Sequence, residues 1–193
     1  MRKYNSSIKT AFLSEAGSQL SNNDYFGFVE LDNYACYVIA DGITNMREAL
    51  GAKAAISAVI DAFQREPGIS KRKIKGYLKS ANRELLQGKS YEKQKASVTA
   101  VVTDYVKFRY GHVGNTRLRL YREGRCILTT LDMSLSQDMV QEGAITQDKV
   151  ARHEERNNLY AYLGREHFKP FLSKKKKFCN GDIITLYTRG IWE

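Results

Sequence analysis

"YVIADGITN", residues 37 to 45, begins as a strand and ends as something else. Tyr37, Val38 and Ile39 are aromatic and β-branched, which suits a pleated, half-buried surface, and Asp41-Gly42 is a turn signal. Past it Leu50, Ala54, Ala55, Ala58, Val59, Ala62 and Phe63 recur at helical spacing, and "EPG" at 66 to 68 ends the run. The chain therefore changes from strand to helix just after Asp41. Upstream, "IKTAFL" (8 to 13), "YFGFVEL" (25 to 31) and "YACYVIA" (34 to 40) read as three strands, the last two joined by a tight hairpin at "LDNY".

Downstream, Ser70 is placed to cap a second helix whose one face carries Ile74, Tyr77, Leu78, Ala81 and Leu85, with Gly88 closing it. Its lysines form a solvated face. "ASVTAVVTD", "YVKFRYGHVG", "TRLRLYREG" and "RCILTT" follow as four strands in a meander. Two short helices are expected at 134 to 143 and 146 to 155, Thr146 capping the second, then an exposed loop at "KKKK" (174 to 177) and a last strand at "DIITLYT". Two adjacent helices set among strands argue for an α+β protein in layers, helices covering a sheet, rather than alternating βαβ units.

The 193 residues suit one domain, and 42% apolar with only two prolines is the composition of a folded chain. Thirty-one Lys plus Arg against 21 Asp plus Glu give a net charge of +10, but no aromatics interleave with the basic residues as stacking platforms, so nucleic acid is an unlikely partner. Cys36, Cys126 and Cys179 are odd in number and widely spaced, which excludes a CxxC zinc site and fits a reducing, cytoplasmic setting. No stretch approaches the roughly 18 apolar residues of a membrane helix.

Asp24 in "SNNDYF" opens one strand and Asp41 ends another one hairpin later, so the two carboxylates converge on one sheet edge. With the Gly42 carbonyl they are oxygen ligands suited to Mg²⁺ or Mn²⁺. Spacing alone also suits turn residues that cap backbone N–H groups.

"SNNDYF", "VIADGI", "ASVTAVV", "GHVGNTRLRLYREG", the run from Thr130 to Gly164 containing "EGAIT" and "RN", and "GDIITLYTRGIWE" resemble, in order and spacing, the metal-dependent protein phosphatase 2C family in its bacterial form. The resemblance covers nearly the whole chain. It implies a four-layer αββα sandwich of two antiparallel sheets flanked by helices, with a flap at about 132–165. It also implies a binuclear Mn²⁺ or Mg²⁺ centre that activates water against phosphoserine or phosphothreonine, a phosphorylated protein as substrate, and a Ser/Thr kinase as counterpart. On this resemblance Asp41 is the bridging carboxylate, Gly42 the carbonyl ligand, and Asp24 the acid that supports a metal through its water shell.

Other family positions are substituted. The phosphate-binding arginine falls at or near Gln19, an additional-metal aspartate is Asn115, a histidine is Met133, and a glycine pair is replaced by Thr44 and Asn45. Arg189 stands where the family has a metal-binding aspartate. A guanidinium has no lone pair to donate and repels a cation. The family's final helix and strand, with another metal aspartate, lie beyond residue 193, so a fragment of a longer chain is expected. The sequence thus supports a phosphatase with an impaired metal site, or a catalytically inactive pseudophosphatase that binds a phosphorylated or acidic partner. His112 reads as structural, His153 and His167 as exposed, and Trp192 as a core or interface anchor.

Overall fold

The structure, a computed structural model, describes residues 7–17, 21–43, 50–87 and 94–192. Strands β1 (Asp24–Glu30) and β2 (Ala35–Gly42) form the expected hairpin, closed by the Leu31 N–H donating to the Tyr34 carbonyl at 2.8 Å. Alternation along β2 divides its side chains: Cys36, Val38 and Ala40 pack on helices, while Tyr37, Ile39 and Asp41 face the other way.

Helices α1 (Leu50–Arg65) and α2 (Lys71–Gln87) cover the first of these faces. Small residues allow close approach: Ala52 and Ala55 are fully buried, and a Cβ on Gly27 of β1 would sit 2.6 Å from Ile56. Ser70 caps α2 by accepting from the Lys73 N–H at 3.2 Å. The inward face of α2 carries the predicted Ile74, Tyr77, Leu78, Ala81 and Leu85, and full burial of Ile74, Leu78 and Leu85 contributes about 1.5–3 kcal/mol each.

Strands β3 (Ala96–Thr103) and β4 (Lys107–Val113) extend the first sheet, whereas β5 (Arg117–Arg122) and β6 (Arg125–Thr129) begin a second. The four-strand meander is therefore divided between two sheets. Period-two burial is the same in either sheet, so the pattern could not show the break; Gly114, at φ +92°, makes it. Helix α3 (Leu135–Gln141) follows, capped by Ser134. Strands β7 (Phe171–Leu172) and β8 (Lys176–Lys177) then pair with β4, and β9 (Ile183–Tyr187) joins β5. The sheets run β1-β2-β3-β4-β7, with β8 also on β4, and β6-β5-β9, and a second core of Val101, Phe108, Tyr110, Leu118 and Leu120 lies between them.

Three further expectations change. Residues 8 to 13 form no strand: Phe12 and Leu13 are 67% and 78% exposed, and Phe12 instead meets Phe26 at 4.7 Å between ring centroids. The predicted helix at 146 to 155 is two 3-10 turns, Gln147–Arg152 and Glu154–Asn157, because His153 adopts extended backbone and caps the second with its ring nitrogen. His153 is therefore half-buried rather than exposed. Half of the "KKKK" loop pairs as β8, setting Lys177 opposite Lys107. Helices flank the first sheet on its outer face; a helical layer on the second sheet is not present among the described residues.

Candidate functional site

Antiparallel register places Asp24 directly opposite Asp41, and Asp41 directly opposite Ser97, so three side chains form a row across β1, β2 and β3 on the face turned to the second sheet. Asn22 fixes the start of that row, its Oδ1 accepting the Asp24 N–H at 2.9 Å. The Ser97 hydroxyl donates to Asn115 Oδ1 at 2.9 Å and accepts the Asn115 N–H at 3.2 Å. Gly114 permits this approach, since a Cβ there would lie 2.2 Å from Ser97 Oγ. Gly114→Ala is expected to push Ser97 away from Asn115 and to cost about 2–3 kcal/mol in urea unfolding, from a left-handed φ and a forced overlap. A change below about 0.5 kcal/mol would show that the crossing tolerates a side chain.

The last described turn closes over the row. Thr188 donates to Asp24 Oδ2 at 2.5 Å, and Arg189 Nη1 donates to Asn157 Oδ1 at 3.0 Å, joining this turn to the second 3-10 turn of the flap. Burial raises the Asp24 carboxyl above the usual carboxylate range, and the Thr188 hydrogen bond and then the Arg189 charge oppose that rise. Asp41 is 8% exposed. The Gly42 N–H donates to the Asn23 carbonyl at 3.0 Å, and a Cβ on Gly42 would lie 2.9 Å from that oxygen, so the backbone here is closely held.

The sequence-predicted Asp24, Asp41, Gly42, Asn115 and Arg189 thus share one end of the sandwich. Gln19, Thr44, Asn45 and Gly88 lie outside the described residues. Met133 is part of the packing: its N–H donates to the Gly114 carbonyl at 2.9 Å and its side chain meets the helical core. Ser97 and Thr188 do not stand out in the sequence. A lone hydroxyl is ordinary, and only the strand register, for Ser97, and the Asp24 hydrogen bond, for Thr188, show that both face the carboxylates.

A cation at this row would find Asp24, Asp41 and the Gly42 carbonyl. Among the described residues no three His, Cys, Asp or Glu side chains gather around one point, and the Arg189 charge already acts on Asp24. This donor set does not fit a binuclear centre, which needs bridging and terminal carboxylates around two ions.

A sandwich of two antiparallel sheets with a carboxylate pair at one end is the architecture of metal-dependent Ser/Thr phosphatases of the protein phosphatase 2C type, and the chain has that fold. It is similar to a protein phosphatase 2C-type protein of Streptococcus pyogenes serotype M6, with 24% identity over 168 residues, 82% of this chain and 68% of that one. The serine/threonine phosphatase of S. agalactiae superposes with a TM-score of 0.76 at 19% identity, over 91% of this chain and 75% of that one. The catalytic domain of the serine threonine protein phosphatase PstP, solved in complex with two manganese ions, gives 0.69 at 21% identity, over 87% and 71%. No family model matches the chain.

Proposed function

We propose that this chain is a single protein phosphatase 2C-like domain, descended from Mn²⁺- or Mg²⁺-dependent phosphoserine/phosphothreonine phosphatases, whose binuclear metal site is impaired. The carrying observation is Arg189: on the turn next to the acid pair it brings a positive charge toward Asp24 where a further carboxylate would be needed. Asp24, Asp41 and the Gly42 carbonyl remain as ligands for one weakly held cation. A phosphorylated protein is the partner, with a Ser/Thr kinase as its counterpart. The three free thiols support a cytoplasmic setting, and no described helix is long and apolar enough to cross a membrane.

A second reading, a pseudophosphatase that binds a phosphorylated or acidic partner without turnover, is favoured by the same arginine. Arg189 ties the flap to the turn whose Thr188 holds Asp24, through hydrogen bonds within the protein that need no metal.

Hydrolysis of a phosphothreonine peptide, measured with and without Mn²⁺, tests both. The chain is expected to show little Mn²⁺-dependent turnover, and Arg189→Asp, carried on a longer chain that supplies the family's final helix and strand, to raise it at least about tenfold, roughly 1.4 kcal/mol of barrier. Rapid Mn²⁺-dependent turnover by the unaltered chain would overturn the impaired site. Peptide binding with no turnover in either protein would select the pseudophosphatase.

A further inference from the structure

The net charge of +10 is confined to one flank of the molecule. Helix α2 and residues 165 to 177 hold twelve Lys and Arg against two acids, Glu84 and Glu166, while the rest of the chain holds nineteen of each sign. The two segments lie side by side: a Cβ on Gly111 of β4 would meet Leu78 and Ile74 of α2 at 2.7 and 2.8 Å, and Leu172 of β7 at 3.3 Å. They belong to the helix-covered side of the first sheet and its β7–β8 edge, and none of their residues lines the large cleft in which Asp24 and Asp41 lie.

The cations of α2 are exposed in a stripe, Lys71, Lys75, Lys79 and Arg83 following one another at about one turn over about 18 Å. Like charges at i and i+4 weaken a helix, so the stripe works against α2 itself. Beyond β7, Lys174, Lys175 and Lys177 are exposed as well, and Lys177 stands directly opposite Lys107. Lysines at a sheet edge deter the addition of another strand, which accounts for this run but not for the helix. Among the described residues only Lys73 of the twelve is in a salt bridge, with Glu66 at 3.2 Å. Nine of the twelve are Lys, a hydrated point charge, rather than Arg, whose planar fork grips a single carboxylate or phosphate. Leu86, 42% exposed, continues the α2 stripe past Arg83, and Phe171, on the edge strand, is 50% exposed.

Spread point charges with apolar side chains among them fit a surface of diffuse negative charge over an apolar interior. We propose that this flank docks the domain on a bilayer containing acidic phospholipid, with α2 lying along the surface and Leu86 at the headgroup boundary. A nucleic acid offers the charge without the apolar interior, and no aromatic stacking platforms interleave with these lysines. The inference is independent of the reading of the acid pair, which lies on the other face of the first sheet.

Co-sedimentation of the chain with vesicles of phosphatidylcholine and phosphatidylglycerol, about two to one, against vesicles of phosphatidylcholine alone, tests it. Binding to the mixed vesicles is expected at about 0.1 M salt, with a fall of at least about tenfold at about 0.5 M, and none to the neutral vesicles. Lys75→Gln/Lys79→Gln and, separately, Lys174→Gln/Lys175→Gln should each weaken binding at least about tenfold, and Leu86→Gln about threefold. Arg125→Gln/Lys149→Gln removes the same charge elsewhere and should leave binding within about twofold. All of these side chains are exposed, so the variants keep the fold. Equal loss in the Arg125 and Lys149 variant, equal binding to neutral vesicles, or tighter binding to a short DNA duplex or to polyglutamate at matched salt would each overturn the proposal.

Discussion

Arg117→Met is expected to lower the unfolding free energy by about 3–5 kcal/mol, the usual cost of removing one partner from a buried ion pair. The Asp132 carboxylate is fully shielded from solvent and receives both of its charged hydrogen bonds from Arg117. Without the guanidinium it must stay charged in a poor solvent or take up a proton. The double variant with Asp132→Asn should recover much of the loss, since the orphaned charge goes with it. Urea unfolding of the four proteins of this cycle measures the coupling. A single-variant loss below about 1 kcal/mol would mean that water or another cation reaches Asp132.

A second large effect is expected from pH. His112 is 2% exposed, with Nε2 at 3.0 Å from the Leu131 carbonyl and Nδ1 at 2.9 Å from Thr99 Oγ1. A carbonyl only accepts, so Nε2 carries the proton, and in the neutral ring that burial favours Nδ1 accepts from the hydroxyl, which shares its hydrogen with the Thr116 carbonyl at 3.2 Å. That arrangement describes a neutral ring. Burial lowers the His112 pKa to about 4, against attraction from Asp132 and the Leu131 and Gly114 backbone; Arg117 lowers it further. The unfolded chain, with an ordinary histidine near 6.5, therefore binds more protons than the folded one between these values. Stability contributed by His112 is present above pH about 6.5 and lost as pH falls toward 4, about 2–3 kcal/mol by pH about 4.5. Unfolding midpoints of the wild type and His112→Gln across that range isolate it from the carboxylates. Parallel slopes for the two proteins would refute the buried neutral ring. Arg117→Met should also reduce the wild-type slope, because it frees the Asp132 charge to favour the imidazolium.

The parts of the fold legible in the sequence are those set by local period. The helical stripe from Leu50 to Phe63, the β1–β2 hairpin and the Ser70 cap each depend on residues close in the chain. The split of the four central strands between two sheets depends instead on Gly114 lying against Ser97, 17 residues away in sequence, and no period carries that information. His153 escapes a sequence reading for a related reason: its ring competes with the backbone to cap the next turn, a local alternative to helix that composition does not rank.

The same limits apply to the candidate site. Asp24 and Asp41 could be paired from the hairpin alone, as one edge of one sheet. Ser97 and Thr188 come from a neighbouring strand and from the other sheet, so their approach is a tertiary fact. Arg189 could be recognised as the wrong charge for a metal position, but its hydrogen bond to Asn157 across 32 residues could not.

Alternation along β9 has a consequence for folding fidelity. Tyr187 turns outward to Arg119, while Thr188, the residue just after the strand, turns inward to Asp24. A slip of β9 by one residue against β5 would exchange these faces, placing an aromatic ring against a carboxylate and a small hydroxyl under a guanidinium. The two ends of the second sheet's chemistry are therefore proofread together, and a mispaired strand loses both at once.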